Sequence, residues 1–194
     1  MLTLEDLRDI NVQQGKLLDR YYNVRHVADA GKVEGNDQTV AQHHNGLCVI
    51  MIHPSHPICS KTVQNVDFKI SVNCDRSEIV LSGKKKRGAQ FVNPNSKLCN
   101  VTCTDGTSYI LYCGVRGKLL EVNDNLKSSP QLIAQRCDSD GYIAIIQPKK
   151  EEEKTVLKDL LTEEDFIRHS QIRASNKHEL DDIIESDSKR LCQS

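Results

Sequence analysis

The sequence predicts a mainly β barrel or sandwich followed by a helical C-terminal extension. Three observations carry this prediction. Apolar and polar residues alternate with period two through the middle of the chain, turn signals recur about every ten residues, and after Pro148 the pattern changes to charge runs and helical spacing.

The N-terminal arm, residues 1–18, holds Leu4, Leu7 and Ile10 at amphipathic spacing, and Arg20-Tyr21-Tyr22 is placed to anchor it on the barrel. Residues 23–40 carry too weak a pattern for any element. Leu47 to Ile52 is a continuous apolar run between Asn45-Gly46 and His53-Pro54, the signature of a strand covered on both faces. Val66, Phe68, Ile70, Val72 and Cys74 fall on one face of one strand, with Asp67, Lys69, Ser71 and Asn73 on the other.

Cys99, Val101 and Cys103 begin the next strand, and Tyr109, Leu111, Cys113 and Val115 the one after it. Asp105-Gly106 between them predicts a hairpin with a type I′ turn, which requires positive φ at both central residues. Ile143 to Ile146 reads as another buried strand, and Ser82-Gly83, Asn93-Pro94-Asn95, Asn123 to Asn125 and Asp140-Gly141 supply the remaining turns.

Lys149-Lys150-Glu151-Glu152-Glu153 opens the extension, and Val156, Leu157, Leu160 and Leu161 have the spacing of a first helix. Thr162 caps a second, with Asp165 at its third position and Leu161 opposite Phe166 as a hydrophobic staple. Beyond residue 175 the chain is polar, with the composition of a mobile segment. The expected division is an arm over 1–18, a barrel over 19–150, and a helical, acidic, partly disordered tail over 151–194.

Composition narrows the class. The chain has 194 residues, 38% hydrophobic and 27% charged, enough for one core and too balanced for a disordered chain. Its net charge of −1 gives no global pull towards nucleic acid or an anionic membrane. No apolar run approaches a bilayer-spanning length, and the acidic N-terminal residues suit neither a signal nor a transit peptide, so cytosol or nucleus is expected. The eight cysteines contain no Cys-x-x-Cys, which favours reduced, packed thiols over a zinc site, and four of them, at 74, 99, 103 and 113, fall on inferred buried faces.

Residues 83–122 run Gly83, Lys84-Lys85-Lys86-Arg87-Gly88, Leu98-Cys99, Thr104-Asp105-Gly106, Gly117, Leu119-Leu120-Glu121-Val122. This layout resembles the biotinyl/lipoyl carrier fold, with its G-x-x-x-K-x-G, L-x-x-x-x-T-D-K-A and S-P-V-x-G-x-x-x-E-V strings. Residues 114–146 are closer to the glycine cleavage H-protein. Gly117, Glu121-Val122-Asn123, Leu126, Ser129-Pro130, Leu132 and Gly141-Tyr142-Ile143 fall on its G-x-x-x-E-V-N, L, S-P-E-L and G-W-L pattern without a gap. The resemblance implies a barrel-sandwich hybrid, and that carriers attach lipoate or biotin through the lysine of T-D-K-A. Gly106 stands at that lysine position, so no amine is available for the acyl arm and no cofactor is expected.

A longer set of residues resembles the Abitram (Simiate) family: Asp19-Arg20-Tyr21, residues 42–50, His56-Pro57, Ser82-Gly83-Lys84, Lys86 to Phe91, Val115-Arg116-Gly117, Glu121-Val122-Asn123, Gly141 to Ala144 and Leu160-Leu161-Thr162. The run from 82 to 91 is its most specific part. The resemblance implies a non-enzymatic actin-binding protein that modulates filament assembly, cell projections and transcription, located in nuclear speckles, the cytoplasm and actin-rich projections. The N-terminal stretch and the long acidic tail depart from the family pattern.

Charge is unevenly distributed. Residues 83–118 hold seven basic residues and one acidic, a net +6, and residues 151–194 hold seven basic and twelve acidic, a net −5. Lys84, Lys85, Lys86, Arg87, Arg116 and Lys118 are therefore the candidate surface for actin, as an acidic polymer. The alternative is an RNA-associated or assembly adaptor module on a degenerate lipoyl-carrier fold, its RNA form weakened by the presence of only Phe91, Tyr109 and Tyr112 as stacking rings in that segment. The acidic tail is expected to fold back on the basic face. His43-His44 and His53/His56 are read as structural rather than catalytic, and no metal site, membrane contact or small-molecule substrate is expected.

Overall fold

The computed structural model describes residues 21–78 and 88–176, where strands build three antiparallel sheets. The largest has six strands in the order β1 (Tyr22–Val27), β2 (Gln38–His43), β3 (Cys48–Ile52), β11 (Ala144–Gln147), β10 (Gly117–Val122) and β7 (Gln90–Val92). The second pairs β4 (Val63–Asp67), β8 (Lys97–Cys103) and β9 (Ser108–Tyr112), and a ribbon joins β5 (Lys69–Ser71) to β6 (Cys74–Asp75). Two single-turn helices, Asn125–Ser128 and Leu132–Gln135, bridge β10 to β11, and residues 163–176 form a C-terminal helix. This is the mainly β class that the alternation predicts, with the barrel-sandwich architecture that the carrier resemblance implies. No helix among the described residues is long and apolar enough to cross a membrane.

The two main sheets bury one core. Val40, Ile50, Leu119 and Ile146 from the large sheet meet Val66, Leu98, Val101 and Leu111 from the smaller one. Cys48, Cys99, Cys103 and Cys113 are buried among them as small apolar groups. Cys74 is only half-buried, because the single strand expected over Val66 to Cys74 breaks after Phe68. Phe68 turns into the core, while Val72 is left 90% exposed at the turn between β5 and β6.

The hairpin between β8 and β9 forms, but around a different turn. Among the described residues Asp105 is not at positive φ, and Gly106 alone in this turn lies in the left-handed region at φ 82°. Gly106 donates its amide to the Cys103 carbonyl at 3.1 Å and Cys103 donates to Thr107 at 2.9 Å, giving a three-residue loop closed by a glycine bulge.

Where Val156, Leu157, Leu160 and Leu161 have the spacing of a first helix, residues 150–160 form successive turns, with Glu152, Thr155, Lys158 and Leu160 each donating to the carbonyl three residues back. Leu157 belongs to the core, and Val156 and Leu160 pack against it. Following the barrel wall in this way overrides the weak intrinsic stability of a short helix. Thr162 does cap the next helix, its hydroxyl accepting from the Asp165 amide at 3.2 Å and donating to the Asp165 carboxylate at 2.8 Å.

The unpatterned stretch 23–40 contains β1 and the start of β2. It escapes period-two reading because most of its buried residues are polar, His26, Asn36, Asp37, Gln38 and Thr39, beside only Ala30 and Val40. Two of them act as a substitute strand along the free edge of β9. Asn36 donates to the Ile110 carbonyl at 2.9 Å, and Gln38 exchanges a pair of 2.9 Å bonds with the backbone of Tyr112. The Asp37 carboxylate is fully buried and accepts from the Asp29 amide, Ser55 and both terminal nitrogens of Arg173 on the C-terminal helix. Burial opposes its ionisation, but these donors together hold its carboxyl below the usual range. Leu161 and His26 exchange backbone bonds of 2.9 Å, so the chain leading to the helix extends the β1 edge.

Removing Arg173 leaves a buried carboxylate without its guanidinium. Arg173→Met is expected to lower the unfolding free energy by about 2–3 kcal/mol in urea titrations, the low side of a broken buried pair because Asp29 and Ser55 still donate.

His56 predicts the pH response. It is buried, with Nε2 on Asn36 at 2.8 Å and Nδ1 accepting from the Ile58 amide, and burial pushes its imidazole down to about 4. The unfolded chain binds that proton near pH 6.5 and the folded chain does not until about pH 4, so stability falls as pH drops through this window. The melting temperature is expected to decline between pH 7 and 4.5, and His56→Gln to remove part of that slope.

Candidate functional site

Of the six candidate contact residues, Arg116 and Lys118 lie in the described structure, and Lys84, Lys85, Lys86 and Arg87 lie outside it. Arg116 precedes β10 and Lys118 sits within it, directly in register with Phe91 of the edge strand β7. Strands this short on a sheet edge keep one face towards solvent, and Phe91 is 45% exposed there. The Arg116 guanidinium stands 5.3 Å from the centre of the Phe91 ring, and the Lys149 ammonium 5.5 Å from it. Two cations thus flank one exposed aromatic face, each attracted by the negative face of the ring.

Lys149 joins this surface because β11 pairs antiparallel with β10, Gln147 against Lys118, which returns the chain beside Arg116. Its charge was visible in the sequence, but the strand pairing that locates it was not. The edge is held by Arg76, which donates to the Gln90 side chain at 2.6 Å and to the Lys97 carbonyl at 3.2 Å, tying β7 to β8.

Residues 163–176 of the acidic tail do not fold back on the basic face; residues 177–194 and the run from Lys84 to Arg87 lie outside the described residues. Residues 163–176 dock at β1 and β2, the far edge of the six-stranded sheet from β7. The acidic side chain that does approach the cationic surface is Glu152, 3.9 Å from Arg116.

The hairpin tip holds the position where a carrier would present its lysine. Around Gly106, no atom lies within 4 Å of where a Cβ would sit, so the tip is open. The Lys61 ammonium reaches the same tip, but Asp105 holds it at 2.8 Å and the Thr107 hydroxyl at 2.9 Å, beneath the Tyr109 ring. Lys61 and the Thr107 hydroxyl and amide hold the Asp105 carboxyl well below the usual range, and Asp105 in turn raises the Lys61 ammonium.

His43 and His44 lie side by side near Tyr22, and His56 is locked to Asn36. Burial pushes the Cys48 and Cys113 thiols up to about 12 and raises Cys99 further, which removes them as nucleophiles.

The crystal structure of a glycine cleavage system H protein from Mycobacterium marinum has the same fold, with a TM-score of 0.53 over 76% of this chain and 96% of that one, at 16% identity. The glycine cleavage H-protein family model matches residues 75–171. Protein Abitram of Xenopus tropicalis is 38% identical over 152 residues, 77% of this chain and 83% of that protein, and Protein Abitram of Homo sapiens is 38% identical over 77% and 84%. Protein Abitram of Dictyostelium discoideum is 36% identical over 68% of this chain and 75% of its own length.

The chain belongs to the Abitram family and carries a glycine cleavage H-protein domain.

In this Abitram-family chain the residues matching the H-protein pattern hold the barrel together. A Cβ at Gly117 would overlap the Gln147 carbonyl of β11, and buried Asn123 donates to the carbonyls of Asp140 and Tyr142 at 2.8 Å. Because Gly106 occupies a left-handed turn position, Gly106→Ala is expected to destabilise the chain by about 1 kcal/mol despite the open space around it. Intact-mass spectrometry of the protein from lipoate-replete cells is expected to show no lipoyl or biotinyl adduct on Lys97 or Lys118.

Proposed function

We propose that this Abitram-family protein is a non-enzymatic binding protein that takes hold of actin through its cationic surface, altering filament assembly and cell projections, with a nuclear role in transcription at speckles. The observation that carries the reading is the exposed Phe91 ring between Arg116 and Lys149, in register with Lys118. Lys84, Lys85, Lys86 and Arg87, which lie outside the described residues, are included in the proposed contact set on their charge alone. A concentrated cationic face attracts an acidic polymer and steers its approach, and an aromatic ring at its centre adds apolar contact area that charge alone lacks. Family membership supports the actin and transcription roles, and Gly106 removes the carrier chemistry that the fold otherwise serves.

RNA is the second reading. An exposed ring flanked by cations is also the arrangement on which an unpaired base stacks.

Co-sedimentation with filamentous actin tests both. Wild type is expected to pellet with filaments, and Arg116→Glu/Lys118→Glu and Lys84→Glu/Lys86→Glu to bind about ten-fold more weakly at low salt, with the difference shrinking as salt screens the surface. Failure of the wild type to pellet removes the actin reading, and unchanged pelleting of both variants removes the site. Displacement by single-stranded RNA, abolished by Phe91→Ala, favours the second reading.

A further inference from the structure

Away from the cationic surface, the described residues bring together His26 of β1, His53 immediately after β3, and Glu163 in the first turn of the C-terminal helix. One donor atom of each lies within 4.8 Å of the others. We propose that these three side chains form a binding site for a divalent cation of the zinc class, which clasps the C-terminal helix to the barrel.

The donor set fits that ion. Two imidazoles and a carboxylate suit a borderline metal, and a fourth position open to water completes a tetrahedron. Metal–ligand distances of about 2.0–2.2 Å place donor atoms about 3.3 Å apart. Reaching that geometry requires the direct 2.7 Å contact between His26 Nε2 and Glu163 Oε2 to open, and the other separations to close. Glu163 supplies the adjustment, because its side chain is 64% exposed while His26 is buried.

The outer contacts are those that orient ligating imidazoles. His26 Nδ1 meets the Thr39 hydroxyl at 3.3 Å, and a hydroxyl can accept from Nδ1 when Nε2 faces a metal. His53 Nδ1 meets the Ser55 hydroxyl at 2.7 Å and the Ser55 amide at 3.1 Å, and that hydroxyl donates to the Asp37 carboxylate at 3.2 Å, contacts that fix the plane of the second imidazole. Phe166 stacks on His53 at 4.2 Å and on His26 at 5.1 Å, walling off one side.

Metal-stripped, reduced full-length protein tests the site by zinc calorimetry and by cobalt(II) absorption. The expected result is one equivalent bound with micromolar or tighter affinity, and visible cobalt bands without a thiolate-to-metal band in the near ultraviolet. Glu163→Gln and His53→Gln are each expected to weaken binding about ten-fold or more. Cys59→Ser/Cys137→Ser and His44→Gln, which touch no proposed ligand, leave binding unchanged. Zinc raises the melting temperature of the wild type and not of Glu163→Gln, whose exposed position keeps the variant folded. Absence of stoichiometric binding, a thiolate-to-metal band, or unaltered affinity in either ligand variant overturns the proposal.

Discussion

A single buried carboxylate organises this barrel. Asp37 stands at the start of β2 with its side chain fully removed from water, a position that is unfavourable for a charge unless several donors converge on it. The Asp29 amide and Ser55 supply two of them from nearby loops, but the guanidinium must come from Arg173, more than a hundred residues later in the chain. The C-terminal helix is therefore a structural partner of β2. Its approach is fixed by the Leu161–His26 backbone pairing, the Thr162 cap and the Phe166 ring seated on His53. Since Asn36 and Gln38 in the same segment seal the edge of β9, one polar seam both joins the two sheets and anchors the extension.

That seam also explains which parts of the fold could be read in advance. β8 and β9 alternate cleanly because one face of each is buried among apolar neighbours, and β3 and β11 are apolar runs because the sheet is covered there. β1 and β2 were invisible because their burial is achieved through hydrogen bonds, so Asn36, Asp37 and Gln38 look like a loop. The same blindness runs the other way at Val72, where alternation continued past the point at which the chain leaves the core. At residues 150–160 helical spacing was real, but the three apolar residues meet a curved barrel wall that turns follow better than a straight helix. For the candidate surface, charge located Arg116 and Lys118, while Lys149 required the β10–β11 pairing and the histidine–glutamate cluster required the helix to dock.

The H-protein pattern is kept at positions that hold backbone against backbone, and a glycine stands at the open hairpin tip. Gly117 admits β11, Asn123 satisfies two carbonyls in the turn before it, and Gly106 keeps the hairpin closed while offering no amine.

What remains is a six-stranded sheet with two differently used edges. At β7 an exposed aromatic ring is framed by cations, and at β1 a polar seam binds the chain's own helix. Because the sheet separates these edges, the docked residues 163–176 and the Phe91 surface draw on different groups. The exception is Glu152, whose carboxylate near Arg116 sits in the turns linking the two edges. Any coupling between them must pass through residues 149–160, whose apolar side chains pack on the core. Loosening the helix at Arg173 would thus reach the Phe91 surface through the segment that carries Lys149.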